Sequence, residues 1–140
     1  MAVAPRLSDL KETALYVEDL DRAKRFYRTV MSLEPLVDEE RFCAFDVSGK
    51  HILLLFIRGG STNPTELPGG TIPSHDGAGA LHIAFSITAA DLSAWEAHLA
   101  AHAVDIQGRV QWPRGGTSVY FRDPDGNLLE LATPGLWSVY

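Results

Sequence analysis

Three side chains in this sequence have the types that hold divalent metal ions. His82 stands at the head of the apolar run "LHIAFSI", Glu130 lies inside "LLELA", and Glu12 opens the alternating stretch "ETALYV". One imidazole and two carboxylates together neutralise a divalent ion and suit Mn, Fe, Co, Ni or Zn better than copper(I). Taken singly, each also has a plainer reading. A strand histidine can be a hydrogen-bonded core residue, and a carboxylate can mark an exposed strand edge. Burying a lone carboxylate among aliphatic neighbours is costly unless it is paired or metal-bound. The question is whether the fold brings the three to one place.

The elements that would position them recur. "KETALYV" alternates like a half-buried strand. A helix follows in "EDLDRAKRFYRTVM", with Leu20, Ala23, Phe26, Tyr27 and Val30 on one side and Asp19 as N-cap. "RFCAFDV" and "HILLLFI" then read as a hairpin about "SGK". The order returns with the strand "LHIAFSI" and the helix "TAADLSAWEAHLAAH", where Thr88 and Asp91 resemble a capping box. "TSVYFRD" and "LLELA" form the second hairpin, about "PDGN". Aligning Gly49 with Gly126 places Asp46 on Asp123, Ile52 on Leu129 and Leu53 on Glu130. The chain thus reads as one domain of two similar modules, repeating after about 75 residues, too long for a solenoid. Module one covers about 8–57 and module two about 81–134. The Gly- and Pro-rich linker between them, about 58–80, reads as a long loop, with Leu67 and Ile72 packing it down.

Strand alternation sorts the side chains by face. Glu12, Ala14 and Tyr16 share one face in module one; His82, Ala84 and Ser86 share the equivalent face in module two. Leu128, Glu130 and Ala132 share a face, as do Ser118, Tyr120 and Arg122. The aliphatic faces should pack on the helices and the polar ones look away. Glu12 and His82 hold the same place in their copies, so packing about a pseudo-twofold axis lets them converge with Glu130. Tyr120, one strand from Glu130, is a general acid, a hydrogen-bond donor to substrate, or a pocket wall. Ser118 lies beside it. Trp112 and Arg114, in "QWPRGGTS", precede that strand. Arg114 either grips an anionic substrate or is an exposed loop residue. His75 and Asp76 flank the site or are solvated turn residues. His51 faces the site near Leu53, and His98 and His102 are surface residues of the second helix.

Composition narrows the classes. A net charge of −6 with no basic stripe argues against nucleic acid. The longest apolar run, Ile52 to Ile57, is far too short to span a membrane. "MAVAPRLSDL" lacks the regions of a signal peptide. The single cysteine, Cys43, forms no internal disulfide and reads as a buried structural thiol, which fits a reducing cytoplasm.

From "ETALYVEDLDRAKRFY" to "YFRDPDGNLLELATP" the chain resembles the vicinal oxygen chelate superfamily. That superfamily includes glyoxalase I, extradiol dioxygenases, fosfomycin resistance enzymes and metal-free bleomycin-binding proteins. The D-P-D-G-N-x-x-E-L segment is the most specific part of the likeness. The resemblance implies an α+β fold of two βαβββ modules, curled into a cup-shaped mixed sheet with helices outside and one metal ion within. Its four ligand positions fall on Glu12, Leu53, His82 and Glu130. Leu53 cannot coordinate, which excludes the four-ligand set of glyoxalase I, and glutamate replaces the first histidine usual in extradiol and fosfomycin enzymes.

What the resemblance implies is a metal-dependent enzyme acting on a small molecule with adjacent oxygens, by lyase or isomerase chemistry. Glu130 and Tyr120 would be catalytic, and Ser118, Arg114 and Trp112 would bind substrate. The alternatives are an extradiol-type dioxygenase, a metal-free drug-binding resistance protein, or thiol transfer to fosfomycin. Against the last, the segment after Glu130, "LATPGLWSVY", has no arginine to meet a phosphonate. The resemblance also implies a homodimer, its cups built from modules of both chains or of one; in the shared arrangement Glu12 comes from the partner of the chain that supplies His82 and Glu130.

Overall fold

The structure, a computed structural model, describes residues 3–140. In module one, β1 (Glu12–Val17) leads to α1 (Leu20–Thr29), and then to β2 (Glu34–Asp38), β3 (Phe42–Val47) and β4 (His51–Ile57). The linker carries β5 (Thr65–Leu67) and β6 (Gly70–Ile72). Module two repeats the order with β7 (His82–Ser86), α2 (Leu92–Ala101), β8 (Gly108–Gln111), β9 (Thr117–Arg122) and β10 (Leu128–Ala132). The α+β class and the two βαβββ modules are as expected. Each module holds a four-stranded sheet, β1-β4-β3-β2 and β7-β10-β9-β8, in which the first strand runs parallel to the last.

Local chemistry explains the elements. The Asp19 carboxylate accepts from the Arg22 backbone N–H and starts α1. Thr88 does the same for a short 3-10 turn leading into α2. β2 and β8 have no counterpart in the hydrophobic pattern, for a visible reason. β2 is mostly exposed, contains Pro35, and slips register between Pro35 and Val37, as an edge strand can. β8 is only four residues long, with its polar residues exposed.

The aliphatic faces of both sheets meet the helices in one core. Leu15, Val17, Phe45, Leu53 and Leu55 of module one join Leu99, Val119, Phe121, Leu129 and Leu131 of module two. Cys43 is buried there as a free thiol. The faces carrying Glu12 and His82 therefore look away from this core.

The register corrects one expected correspondence. Glu12 pairs with Ile52 and Ala14 with Leu54, just as His82 pairs with Leu128 and Ala84 with Glu130. Leu54, not Leu53, stands where Glu130 stands. The corresponding pairs Asp46↔Ile52 and Arg122↔Leu128 enclose turns of the same span, although pairing in the first continues to Val47↔His51, and Gly49 sits one place earlier in its turn than Gly126. Matching the glycines shifts the alignment by one residue, and in a period-two strand that exchanges the faces. Leu53 points into the core and is 1% exposed. His51, in phase with Leu53, also turns from the Glu12 face, and its Nε2 lies 3.6 Å from Asp9 Oδ1.

Two further expectations change. The linker forms a hairpin rather than a plain loop, and Leu67 and Ile72 remain exposed on it. His98 is not a free surface residue: its Nε2–H donates to the Val30 carbonyl at 2.8 Å, tying α2 to the end of α1. His102 stays exposed, as expected.

The D-P-D-G-N turn turns out to be a buried knot. Asp123 Oδ1 accepts from the backbone N–H groups of Asp125 (3.0 Å) and Asn127 (2.9 Å). Its Oδ2 accepts from the Asn127 amide (3.0 Å) and from the Tyr27 hydroxyl of α1 (2.7 Å). Asn127 Oδ1 accepts the Leu81 N–H at 3.0 Å, immediately before His82. Outside the knot, Asp125 Oδ1 takes the Glu18 N–H at 2.9 Å. Module two is thus fastened to the first helix of module one.

Removing one donor from a buried carboxylate should cost about 2 kcal/mol, and removing the carboxylate should cost at least about 3 kcal/mol, because several donors are then orphaned. Urea unfolding of Tyr27→Phe and Asp123→Ala is expected to show that order. Burial, and then the Asp123 charge, push the Tyr27 phenol well above 10.0. Above that pH an unfolded tyrosine sheds a proton that the folded one keeps, so stability must fall as pH rises. Tyr27→Phe should remove that part of the alkaline slope.

Candidate functional site

The structure brings His82 and Glu130 together. Parallel pairing sets His82 opposite Leu128 and Ala84 opposite Glu130, so both side chains leave the same face of adjacent strands. His82 Nδ1 lies 2.8 Å from the Leu128 carbonyl oxygen. A carbonyl only accepts, so Nδ1 carries a proton, and a neutral ring then has its lone pair on Nε2. That Nε2 faces Glu130 Oε1 at 3.2 Å. Two electron-rich atoms so close need a proton or a cation with them. A histidine whose Nδ1–H is tied to a backbone carbonyl is oriented as metal-binding histidines are.

Glu130 is held from behind. It is 5% exposed, and its Oε2 accepts the Ser118 hydroxyl at 2.5 Å. Ser118 Oγ in turn accepts the Trp112 indole N–H at 2.8 Å. This chain satisfies the inner carboxylate oxygen and leaves the outer one to His82. Ser118 and Trp112, expected to contact substrate, have their polar atoms engaged in orienting Glu130. The side chain of His82 is 49% exposed against 7% for Glu130, so the pair opens to solvent on the histidine side.

Tyr120 stands directly opposite Glu130 on β9, its ring 6.2 Å from that of His82. Burial, and then the Glu130 charge, raise its phenol above the usual tyrosine range. It therefore keeps its proton at neutral pH and can donate a hydrogen bond, but is poorly suited to act as a base. Arg114 is exposed in the Trp112–Gly116 turn.

Glu12 is not with them. It lies exposed at the head of β1, an edge strand of the other sheet. Among the described residues no three His, Cys, Asp or Glu side chains come together around a common point. The residues present fit one histidine and one carboxylate ligand, with the other positions open. A cavity of about 860 Å³ lies between the modules, lined by Glu12, Leu53, Ala84, Phe85 and Trp95 among others, but not by His82, Tyr120 or Glu130.

One cluster escaped sequence reasoning. On the Glu12 face, Tyr16 stacks on Phe56 (centroids 5.9 Å apart) and Phe56 on Phe42 (5.6 Å). His75, from the linker, meets Phe56 edge-on at 4.7 Å. Strand phase already placed Tyr16 on this face. Phe42 and Phe56 were legible in the same way, whereas no local pattern announces the docking of the linker.

With this geometry in place, the relatives can be compared. Residues 9–131 match the family model described as Glyoxalase/Bleomycin resistance protein/Dioxygenase superfamily. The chain is 36% identical over 118 residues to the metallothiol transferase FosB of Bacillus licheniformis, covering 84% of this chain and 70% of that one. It is 35% identical to the FosB of Shouchella clausii, over 84% of this chain and 74% of that one. Among solved structures, lactoylglutathione lyase from Agrobacterium tumefaciens superposes with a TM-score of 0.86 at 34% identity, covering 96% and 99% of the two chains. FosX from Listeria monocytogenes, at 22% identity, a TM-score of 0.67 and coverage of 91% and 94%, shares the fold. The FosB proteins and the lactoylglutathione lyase are enzymes by name, which supports a small-molecule enzyme of this general type. No helix among the described residues is long and apolar enough to cross a membrane. The chain belongs to the glyoxalase/bleomycin resistance protein/dioxygenase superfamily.

Proposed function

We propose that the protein is a metal-dependent enzyme that performs lyase or isomerase chemistry on a small substrate with adjacent oxygens. The observation that carries this reading is the Nε2–carboxylate pair of His82 and Glu130, built to share a cation and braced by Ser118 and Trp112. A divalent ion held there supplies a Lewis acid toward substrate oxygens. His82 and Glu130 hold it, and Glu12 is the third ligand. Because Glu12 stands apart within its own chain, it comes from a second copy in a homodimer, each cup combining module one of one chain with module two of the other.

The chain's own groups divide the remaining work. Tyr120, kept neutral, donates its O–H to a substrate oxygen as negative charge builds there. The outer oxygen of Glu130, once freed from ligation, takes a proton from the carbon beside the substrate oxygen and returns it to the neighbouring carbon. The Ser118 hydroxyl holds the inner oxygen and sets the orientation of the carboxylate. Arg114 meets an anionic part of the substrate from the rim. The substrate is small, and the setting is cytoplasmic.

A second reading is thiol transfer, favoured by the names of the FosB relatives. It uses the same ligands and differs in substrate. A metal-free drug-binding protein fits less well, since a buried glutamate serves no purpose in such a pocket. Assays with a glutathione hemithioacetal, with a thiol plus fosfomycin, and with catechols under Fe(II) separate lyase, transferase and dioxygenase.

Metal analysis of protein purified without chelator should find about one divalent ion per chain. Glu130→Ala should abolish uptake, and Ser118→Ala should weaken it by roughly 10–100-fold, the usual cost of losing a residue that orients a ligand. Wild-type protein that takes up no stoichiometric metal overturns the proposal.

Subunit sharing has its own test. Glu12→Ala and Glu130→Ala chains, each inactive alone, are co-expressed under separate tags and the mixed dimer is isolated. If the cups are shared, one of its two cups carries both substitutions and the other none, so metal binding and activity return to about half of wild type. A mixed dimer as inactive as its parents places each cup within one chain.

A further inference from the structure

The proposed substrate site still lacks a wall, and module one has the face to provide it. Tyr16, Phe56 and Phe42 are cross-strand neighbours on β1, β4 and β3, paired as Tyr16↔Phe56 and Phe42↔Phe56. Their rings lie within 23° and 21° of parallel, forming a stacked ladder on the face that Glu12 shares. Tyr16 is four residues from Glu12, about 13 Å along the strand. In module two the same three positions hold Ser86, Ala132 and Ser118. The module that carries His82 and Glu130 is thus small where this one is aromatic.

The linker places one polar group on this apolar surface. Tyr16 Oη lies 2.7 Å from His75 Nδ1, while the imidazole meets Phe56 edge-on. The segment is pinned on both sides: the His75 N–H donates to the Ser61 carbonyl at 2.9 Å, and Asp76 Oδ1 accepts the Gly59 N–H at 3.1 Å. Gly77 lies so close to the Tyr16 ring that any Cβ there would collide with it. Burial, and then the Asp76 charge, raise the Tyr16 phenol, which stays protonated at neutral pH and can either give its proton to Nδ1 or accept one from it. With Tyr16 donating to Nδ1, a neutral His75 carries its own proton on Nε2, which meets no acceptor among the described residues.

We infer that Tyr16, Phe42, Phe56 and His75 form a specificity wall for a substrate with a flat, apolar body and an oxygen acceptor at its edge. The body lies along the ring ladder and the acceptor takes the His75 Nε2–H. Such a face favours aromatic or similarly planar molecules over small phosphonates, because its rings offer an anion no charge and the nearby Arg58 is paired with Glu18. The inference rests on the proposed site, because Glu12 is what joins this face to the metal.

The probe is 2-naphthoate, with methylphosphonate as the small-anion comparator, measured by titration calorimetry on EDTA-treated and on Mn(II)-loaded protein. Wild type should bind 2-naphthoate at least about tenfold more tightly than methylphosphonate in both states. His75→Ala and Phe56→Leu should each weaken it about tenfold without a matching loss of melting temperature, and His75→Gln, which restores an N–H near Nε2, should recover part of it. Gly77→Ala, which keeps every wall side chain but pushes the linker off Tyr16, should weaken binding as His75→Ala does. Glu130→Ala should lose metal yet keep 2-naphthoate binding in the EDTA-treated state. Wild type that does not bind the probe, as when a second copy covers the rings, overturns the inference. Binding that His75→Ala and Phe56→Leu leave unchanged does so too. Intact probe binding without any metal uptake overturns the metal reading instead and leaves the wall standing.

Discussion

The structure depends on one buried carboxylate. Asp123 gathers two backbone N–H groups, the Asn127 amide and the Tyr27 hydroxyl into a single turn. A buried charge is tolerable only when its lone pairs are met, and here they are met by groups from both modules. The consequences run directly to the site. Asn127 fixes the N–H of Leu81, and the Leu81 carbonyl accepts the Leu128 N–H at 2.7 Å. That contact starts the β7–β10 pairing, and the pairing puts His82 Nδ1 on the Leu128 carbonyl. The tautomer of His82 is thus decided by a turn that never touches the site's open side.

The same constraint shows what was legible in the amino-acid order and what was not. Helix caps, strand phases and the duplication rest on local chemistry, so Asp19, Thr88, the two outward faces and the pairing of His82 with Glu130 could all be read. The correspondence of Leu53 with Glu130 could not, because it rested on the turn glycines. Gly49 and Gly126 both take positive φ, but at different places relative to the corresponding pairs Asp46↔Ile52 and Arg122↔Leu128. Backbone register, which needs the partner strand, identifies Leu54. The edge strands β2 and β8 were hidden for a related reason: half-exposed edges have no apolar alternation to display.

Side-chain roles proved harder to read than positions. Strand phase puts Ser118 beside Tyr120, yet nothing local says that an indole N–H will reach a serine six residues on and thereby hold a carboxylate. Such a chain closes only when β8, the following turn and β9 are folded together. His98 shows the same effect, since its partner is a backbone carbonyl at the end of the other helix. The docking of His75 on Tyr16 is more distant still. It spans 59 positions and requires a glycine at 77 to let the backbone approach the ring.

Duplication followed by divergence explains why the proposed site draws on both modules. Once the register is right, the outward faces compare position by position: Leu54 with Glu130, Ala44 with Tyr120, Phe42 with Ser118, Phe56 with Ala132, Tyr16 with Ser86. In the first three pairs, the polar group that makes or braces the proposed site lies in module two. The bulk lies in module one at the three positions where module two is small. Glu12 and His82 are the pair at which both modules keep a group able to coordinate. A sheet face covered with stacked rings cannot also hold a desolvated carboxylate, and a face carrying that carboxylate needs small neighbours to leave its outer oxygen open. The two demands are incompatible on one sheet, and the second copy of the module lets the chain satisfy both.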